Sequence, residues 1–258
     1  MSHIFENPRF HSLADQGLSM PVQGTQEWLD GRKGRITGSK PSSLFFDLKQ
    51  ESDWDDILER WFGDKREDFD DTSIKRMAWG SKHEDTAAAV ILDYFPTGHF
   101  FECPQINMTD VYAVSPDGAL LLLNEDGSHR KHFNVEIKCP GRFSKSGQEQ
   151  TDEQMKEYVQ KRWGAPASYY MTQIHQEMAA QNAAETLFVV WTPLLTRMWT
   201  IPFDQGYWNL CLEVFENFRL KNVPFDVMYA KVDKLKRISR GVAYGCKETM
   251  VEIASALH

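Results

Sequence analysis

Two short stretches of the chain carry residues whose types and spacing suit the hydrolysis of a phosphodiester. The first is Ser115-Pro116-Asp117-Gly118, and the second, nineteen residues after the aspartate, is Glu136-Ile137-Lys138. Asp117 and Glu136 offer the hard oxygen ligands that Mg²⁺ prefers, and the backbone carbonyl of Ile137 can supply a third. Lys138 can orient and help deprotonate a metal-bound water, or steady charge on the scissile phosphate. The set therefore suggests a metal-dependent nuclease.

The position of the second stretch on a strand decides whether its residues can act together. Alternate side chains of a strand share a face, so we expect Glu136 and Lys138 on one face and Ile137 toward the core. An Asp followed by Glu-x-Lys is common by chance, because Asp-Gly forms turns and Glu-x-Lys is a frequent surface pair. Val135, Ile137 and Cys139 are apolar, which favours a buried central strand over a solvated edge.

The elements that must position these residues follow from periodicity and from helix and turn signals. Residues 1–24 lack clear periodicity and are predicted to form an arm with little regular structure. Predicted helices cover residues 25–33, 53–62, 73–95, 152–163, 167–184 and 204–221, and another opens at Ser39-Lys40-Pro41. Predicted strands cover 99–108, 111–123, 132–140, 187–193 and 197–203. This order predicts a single α/β (α+β) domain with a central mixed β-sheet flanked by helices.

Charge is distributed unevenly along the chain. The 258 residues carry a net charge of −8, which at face value argues against an acidic partner such as DNA. Residues 51–71 alone hold ten acids and three bases, whereas residues 31–40 hold four bases and no acid. The overall charge therefore says little about any one surface. We expect the acidic segment to lie away from the site, as a solvated helix and loop or a partner-facing surface.

Composition also bounds the environment of the protein. No apolar run reaches the roughly 18–20 residues of a membrane span, and no secretory signal is evident at the start. The four cysteines are isolated, which disfavours disulfides and a cysteine-based metal site. We expect an intracellular protein without membrane contact, in the cytoplasm of a bacterial host or, if viral, the nucleus or cytoplasm of a eukaryotic cell.

Six motifs follow one another along the chain: W-x3-R-x2-R-I-T-G-S from Trp28, W-G-x3-E from Trp79, F-E-C-P from Phe101, S-P-D-G from Ser115, E-I-K-C-P from Glu136 and Y-M-x-Q from Tyr170. In this order they resemble the motifs of the phage lambda exonuclease-like, YqaJ-type viral recombinases. This group is a branch of the PD-(D/E)XK nuclease superfamily and is related to viral alkaline exonucleases. Together they are far more specific than any one of them.

The resemblance implies roles for individual residues. Asp117, Glu136 and the Ile137 carbonyl would hold two Mg²⁺ ions, for which Mn²⁺ would substitute, with Lys138 beside the attacking water. Glu84 would be a further acid of the metal site, and Glu102 a weaker candidate. Gln173 would touch the scissile phosphate or a metal-bound water. Gln176 and Glu177, one turn further along, are interpreted as bystanders.

The resemblance also implies a pocket for the terminal 5′-phosphate. Arg32 and Ser39 match the family positions, Arg35 adds charge nearby, and Ser115 could join them. A guanidinium group can donate two hydrogen bonds to one phosphate at the same time. Ser39 lies at the start of a predicted helix whose first turn contains Pro41, and the N–H groups at a helix start favour an anion. A solvated basic loop is the alternative for Arg32.

The function implied is digestion of one strand of linear duplex DNA from a 5′-phosphorylated end, leaving a 3′ single-stranded overhang for recombination or DNA processing. An endonuclease of restriction or repair type and a non-catalytic DNA-binding module remain alternatives. The expected domains are an arm (1–24), the exonuclease domain (25–230) and a basic extension (231–258) packed on or near it. The oligomeric state, trimer or monomer, is left open by the sequence. A single-strand annealing protein is a further candidate partner.

Overall fold

A computed structural model describes the chain over residues 3–19, 21, 25–63, 69–144 and 146–251. The α-helices are α1 (Gln26–Arg32), α2 (Ser43–Phe46), α3 (Glu51–Phe62), α4 (Asp71–Tyr94), α5 (Asp152–Arg162), α6 (Tyr170–Gln181), α7 (Gln205–Leu220) and α8 (Phe225–Tyr244). The strands are β1 (Phe10–His11), β2 (Ile36–Thr37), β3 (Gly98–Phe101), β4 (Ile106–Asn107), β5 (Tyr112–Val114), β6 (Gly118–Leu123), β7 (His129–Lys138), β8 (Glu185–Thr192), β9 (Leu195–Pro202) and β10 (Lys247–Val251). Short 3₁₀-helices occur at His3–Glu6 and Lys40–Ser42.

A seven-stranded mixed sheet organises the molecule, in the order β1-β3-β6-β7-β8-β9-β10. The pairs β1/β3 and β7/β8 are parallel, and the other neighbours in this sheet are antiparallel. The prediction of a central mixed sheet flanked by helices is therefore confirmed. β7 lies in the middle of the sheet, so its backbone is bonded on both sides and its side chains are fixed.

Each face of the sheet carries its own apolar core. Along β8, Leu187, Val189 and Trp191 pack with residues of α4, whereas Phe188 and Val190 pack with residues of α3, α5, α6, α7 and α8. Ile137 joins the α4 side. Because side chains alternate along a strand, Glu136 and Lys138 point to the opposite side, toward α6. The structure therefore has the predicted faces of β7, with Ile137 in the core and Glu136 and Lys138 together on the other face.

A smaller sheet, in the order β2-β5-β4, corrects two predictions. The strand expected over residues 99–108 is two strands, β3 and β4, which belong to different sheets. The strand expected over residues 111–123 is likewise two strands, β5 and β6, one in each sheet. Ser115-Pro116-Asp117 separates them, and Pro116 has no N–H to donate to a ladder. The break is what carries Asp117 out of regular pairing with β7 while β6 remains beside it.

Both ends of the described chain contribute to the main sheet. The expectation of little regular structure over residues 1–24 is wrong for β1, which pairs with β3, and for the 3₁₀-helix before it. Residues 231–251 form most of α8, which buries Val232 and Leu235, and the strand β10 beside β9. Residues 252–258 lie outside the described part of the chain.

The acidic segment and the helices behave as ordinary amphipathic elements. α3 buries Trp54, Ile57 and Trp61 and leaves most of its acids in solvent, as predicted. Residues 64–68 of the same segment lie outside the described residues.

Over the ranges that the structure covers, no helix combines the length and apolar character that a membrane span requires.

Candidate active site

A cavity of about 650 Å³ opens where the start of β6, the end of β7 and α6 meet. Five residues predicted to be catalytic line it: Glu84, Asp117, Glu136, Lys138 and Gln173. Ile137 and Glu102 line it as well, and Arg32, Ser39 and Ser115 border it with Trp28. The fold therefore brings together residues from distant parts of the chain, from α1 to α6.

Asp117 is fixed by the strand next to it. Its Oδ2 accepts a hydrogen bond of 2.6 Å from the backbone N–H of Ile137, so the two motifs are joined directly. The residue after it is a glycine for a steric reason. A Cβ on Gly118 would overlap the ring of Phe100, so only glycine lets β6 begin immediately after Asp117.

Glu136 is fully buried and is the centre of the polar contacts in the cavity. Its Oε1 forms an ion pair with Lys138 and accepts a hydrogen bond of 2.8 Å from Nε2 of Gln173. Its Oε2 is also buried and has no hydrogen-bond partner in the described part of the chain. Lys138 lies with its Nζ 5.1 Å from the centre of the Tyr170 ring, which limits its freedom on the other side.

The carboxylates of the cavity carry more negative charge than the neighbouring cation balances. Burial and the nearby Glu136 raise the pKa of Asp117 well above its ordinary value, although Lys138 opposes the shift. Burial also raises the pKa of Glu84, with Glu136 adding to the effect. Burial would lower the pKa of Lys138, but Glu136 and Asp117 outweigh it and raise that pKa well above its usual range.

These residues fit a hard divalent cation by the chemistry of their donors. The cavity offers carboxylate oxygens, an unpartnered Oε2 on Glu136 and excess negative charge, which are what Mg²⁺ requires. Among the residues covered by the structure, no three His, Cys, Asp or Glu side chains are already gathered around one point as metal ligands. Glu102 is partly engaged elsewhere, because its Oε2 accepts a hydrogen bond of 2.9 Å from the backbone of Leu13.

A second part of the cavity lining, here called the cationic wall, is formed by Trp28, Arg32, Ser39 and Ser115. Arg32, at the end of α1, donates a hydrogen bond of 2.9 Å from Nη1 to Oγ of Ser115, and its guanidinium carbon lies 4.3 Å from the centre of the Trp28 ring. Burial lowers the pKa of Arg32 to about 10, so the group stays charged at neutral pH. Ser39 also borders the cavity.

Arg35 is the predicted site residue that the structure does not bring to the cavity. Its Nη1 donates a hydrogen bond of 2.8 Å to the carbonyl of Gly31. The side chain thus turns back on the preceding helix, and within the described chain it is not part of the cavity lining.

The comparison with protein families decides which group this architecture represents. Residues 27–184 match the model of the YqaJ-like viral recombinase domain, which is more than half of the chain. The chain belongs to this family. The match confirms the resemblance found in the motifs, and it includes the cavity residues from Trp28 to Glu177. A search of curated proteins gives no match.

Solved structures give the same fold. The YqaJ-like chain is similar to an alkaline exonuclease (LHK-Exo) from Laribacter hongkongensis, with a TM-score of 0.54 and 19% identity, covering 85% of this chain and 100% of that one. It is similar to LHK-Exo in complex with dAMP at a TM-score of 0.52, with the same identity and coverage. At this identity the comparison establishes the fold.

Two residues of α6 in the YqaJ-like domain have structural roles that the motifs do not indicate. Glu177, interpreted from the sequence as a bystander, is almost fully buried, lines the cavity and accepts a hydrogen bond of 2.9 Å from Gln173. Gln176 is buried too, and its Nε2 donates to the carbonyls of Ile36 and Ala113, which ties α6 to the small sheet. The available signal is spacing, since residues i and i+4 share a helix face, which places Glu177 beside Gln173.

Proposed function

We propose that this protein is a metal-dependent DNA exonuclease that digests one strand of linear duplex DNA in the 5′-to-3′ direction. It would begin at a 5′-phosphorylated end and leave a 3′ single-stranded overhang. One observation carries the proposal: a single cavity is lined both by the carboxylates with Lys138 and by the hydrogen-bonded Arg32–Ser115 pair. The similarity to a protein named an alkaline exonuclease, also solved with dAMP, supports the same interpretation.

Asp117, Glu136, the Ile137 carbonyl and Glu84 would hold two Mg²⁺ ions, and Glu102 is a further candidate. Mn²⁺ would substitute for Mg²⁺. When bound, such ions supply an activated water and neutralise the charge that develops on the phosphate. The raised pKa values of Asp117 and Glu84 support this assignment, because a cation in the cavity would relieve the crowding of negative charge that contributes to them.

Lys138 would assist the attacking water and steady the scissile phosphate. Its ion pair with Glu136 and its contact with Tyr170 keep the ammonium group at the cavity rather than in solvent. Glu136 and Asp117 raise its pKa well above the usual range, so in the metal-free protein it is a cation and hydrogen-bond donor. Metal ions held by those two carboxylates would weaken this effect, which would allow Lys138 to help deprotonate the water.

The cationic wall would bind the 5′-terminal phosphate and set the point of attack. Arg32 is held by Ser115 and Trp28, so its guanidinium is oriented before DNA arrives. Ser39 and Ser115 offer hydroxyl donors at the same border. A phosphate held there would place the first phosphodiester of that strand toward the carboxylates.

The test uses linear duplex DNA with distinguishable ends, one 5′-phosphorylated and one 5′-hydroxylated, each labelled, with Mg²⁺. We expect release of 5′-mononucleotides from the phosphorylated end and accumulation of the intact complementary strand. Loss of the 3′ label first would reverse the direction, and no digestion with Mg²⁺ or Mn²⁺ would reject the nuclease assignment.

Covalently closed circular duplex is the matched control substrate. An exonuclease that needs an end cannot begin on it, so it should remain intact under conditions that consume the linear form. Cleavage of the closed circle would instead support the endonuclease alternative.

A further inference from the structure

The resemblance leaves two contacts open for Gln173, the scissile phosphate or a water on the metal, and the contacts of its side chain distinguish them. Its Nε2 donates to Oε1 of Glu136 at 2.8 Å and to Oε1 of Glu177 at 2.9 Å. Both amide hydrogens are therefore directed at carboxylates. The remaining atom, the carbonyl Oε1, accepts no hydrogen bond from the described part of the chain, and Gln173 lines the cavity.

Glu177 is fixed as an acceptor at both of its oxygens. Oε1 faces the amide of Gln173, and Oε2 accepts a hydrogen bond of 3.2 Å from Nδ2 of Asn134. Asn134 is fully buried on β7 and is itself held, because it donates to Oγ1 of Thr186 at 2.9 Å and accepts from Gln181 at 2.8 Å. The glutamate thus sits between two amide nitrogens whose own positions are determined.

Close packing adds to this restraint. A Cβ on Gly38 would lie 3.0 Å from Cγ of Gln173 and 3.5 Å from Oε1 of Glu177, so the backbone of the β2 region is in near contact with both side chains. Both side chains therefore have little free space on the side of Gly38. Only an acceptor at position 177 is compatible with the donors that surround it.

We infer that Glu177 is a positioning residue that locks the amide of Gln173 so that its carbonyl oxygen faces the cavity. Gln173 then presents an acceptor, which suits an O–H of the water around a divalent cation and repels the oxygens of a phosphate. The buried hydrogen bonds that link Thr186, Asn134 and Glu177 hold the Gln173 amide in this orientation. The inference rests on the proposed metal site and assigns a role to a residue that the motifs leave out.

The test measures the affinity of the metal-bound state directly, by calorimetric titration of the DNA-free protein with Mg²⁺. Glu177→Gln keeps the shape but turns an acceptor into a donor, so one amide must reverse. We expect Mg²⁺ affinity to fall about tenfold, within the range that residues behind metal ligands control. Gln173→Leu should cause a similar loss.

The decisive result is the combination of the two variants. If Glu177 acts through Gln173, Glu177→Gln together with Gln173→Leu should cost no more than either alone. Losses that multiply to about a hundredfold would overturn the inference, because Glu177 would then act on the cation by its charge. An affinity of Glu177→Gln equal to that of the wild type would overturn it as well.

A paired exchange provides the rescue. In Glu177→Gln with Asn134→Asp, the introduced carboxylate accepts from the amide nitrogen now at position 177, from Gln181 and from the Thr186 hydroxyl. The amide carbonyl at position 177 is then left to face Gln173. Mg²⁺ affinity should return to within about twofold of the wild type. If Glu177→Gln alone does not fold, this double variant carries the test, and an affinity about tenfold below the wild type in it would overturn the inference.

Gln176→Leu is the structural control on the same helix. It removes hydrogen bonds to the carbonyls of Ile36 and Ala113, so it should lower the melting temperature without changing Mg²⁺ affinity. Because DNA is absent from these titrations, the outcome is independent of the proposed nuclease. A protein that binds Mg²⁺ as expected but does not digest DNA would reject only the proposed function.

Discussion

The two walls of the cavity are built in different ways. The carboxylate wall stands on the central strand β7 and on the long helices α4 and α6, and Glu136 at its centre is fully buried. The cationic wall stands on α1, a helix of seven residues, all described by the structure, none of which is buried. Arg32 is held there by one hydrogen bond to Ser115 and by the Trp28 ring.

This difference suits the two roles proposed for the walls: hydrolysis at the carboxylates, and discrimination between DNA ends at Arg32. A carboxylate whose position is set by the central sheet keeps its geometry whatever is bound, as the proposed hydrolysis of successive phosphodiesters would require. A guanidinium on a short surface helix can be tuned or lost without disturbing the sheet. We therefore expect changes in the first wall to affect every substrate and changes in the second to depend on the end that is offered.

Replacing Asp117 should have the largest effect. Asp117→Asn keeps an acceptor for the Ile137 N–H but removes a charge that the metal site needs, so digestion of linear duplex should fall on the order of 10³-fold. Initial rates on 5′-phosphorylated and 5′-hydroxyl ends should fall equally. Asp85→Asn, on α4 beside Glu84, is the matched control and should retain most activity; equal loss in both variants would remove the special role of Asp117.

Replacing Arg32 should have a smaller and selective effect. Arg32→Ala should slow digestion from 5′-phosphorylated ends about 10–100-fold, because a bidentate charge-assisted contact is lost, and should change 5′-hydroxyl ends little. Rates on the two ends, measured side by side, give the result. Arg35→Ala removes the same charge from a side chain turned away from the cavity, so it should leave the preference intact. A loss that is the same on both ends would contradict the phosphate pocket.

The walls should also differ in how they respond to pH without metal. The pKa of Asp117 is raised in the folded state, mainly by burial, and the pKa values of Glu84 and Glu177 are raised too. A carboxyl group whose pKa is higher in the folded state than in the unfolded state, where it is about 4, binds its proton more tightly when folded. Its contribution to stability is complete below the unfolded pKa and is lost as pH rises through the folded pKa. In EDTA the melting temperature of the wild type should therefore fall, relative to Asp117→Asn, as pH rises from about 5 to about 9.

The expected difference is a few degrees, since about 1 kcal/mol moves the melting temperature by about 2–4 °C in a domain of this size. Arg32 provides the comparison within the same cavity. Its pKa is lowered only to about 10, so the gap between wild type and Arg32→Ala should stay constant over this pH range. Saturating Mg²⁺ should shrink the pH dependence of the wild type, and an unchanged slope would argue against a cation among these acids.

The same contrast explains what the sequence can predict. The shared face of Glu136 and Lys138 is predictable because side chains alternate along a strand. Asp117 lies just before β6, so its candidacy rests on its motif rather than on strand periodicity. Glu177 is missed because spacing relates it to Gln173 but does not say which face of α6 meets the sheet. Arg35 is misplaced because the direction of a long side chain on a loop depends on local acceptors, here the Gly31 carbonyl.

The pairing of strands that are distant in sequence also cannot be predicted from local hydrophobic periodicity. β5 and β6 are nearly continuous in sequence, yet they belong to different sheets, and the partners of β5 are β2 and β4. Two-residue strands such as β1 and β2 carry no periodicity, since alternation cannot be seen in so few residues. The family match reaches from residue 27 to residue 184, so β1 and α8 have no motif to reveal them, whereas α7 matches the helix predicted over residues 204–221.

Ser115 connects the two walls and should show the smallest effect. It stands two residues before Asp117, and its Oγ accepts the hydrogen bond from Arg32, so one segment contributes to both sides. Ser115→Ala removes about 1 kcal/mol of restraint on the guanidinium without changing any charge, which predicts about a fivefold slower reaction on 5′-phosphorylated ends. Combined with Arg32→Ala it should add nothing further, because the serine then has no guanidinium to orient. A Ser115→Ala variant that instead slows both kinds of end would show that the segment serves Asp117, and that the walls are less independent than their construction indicates.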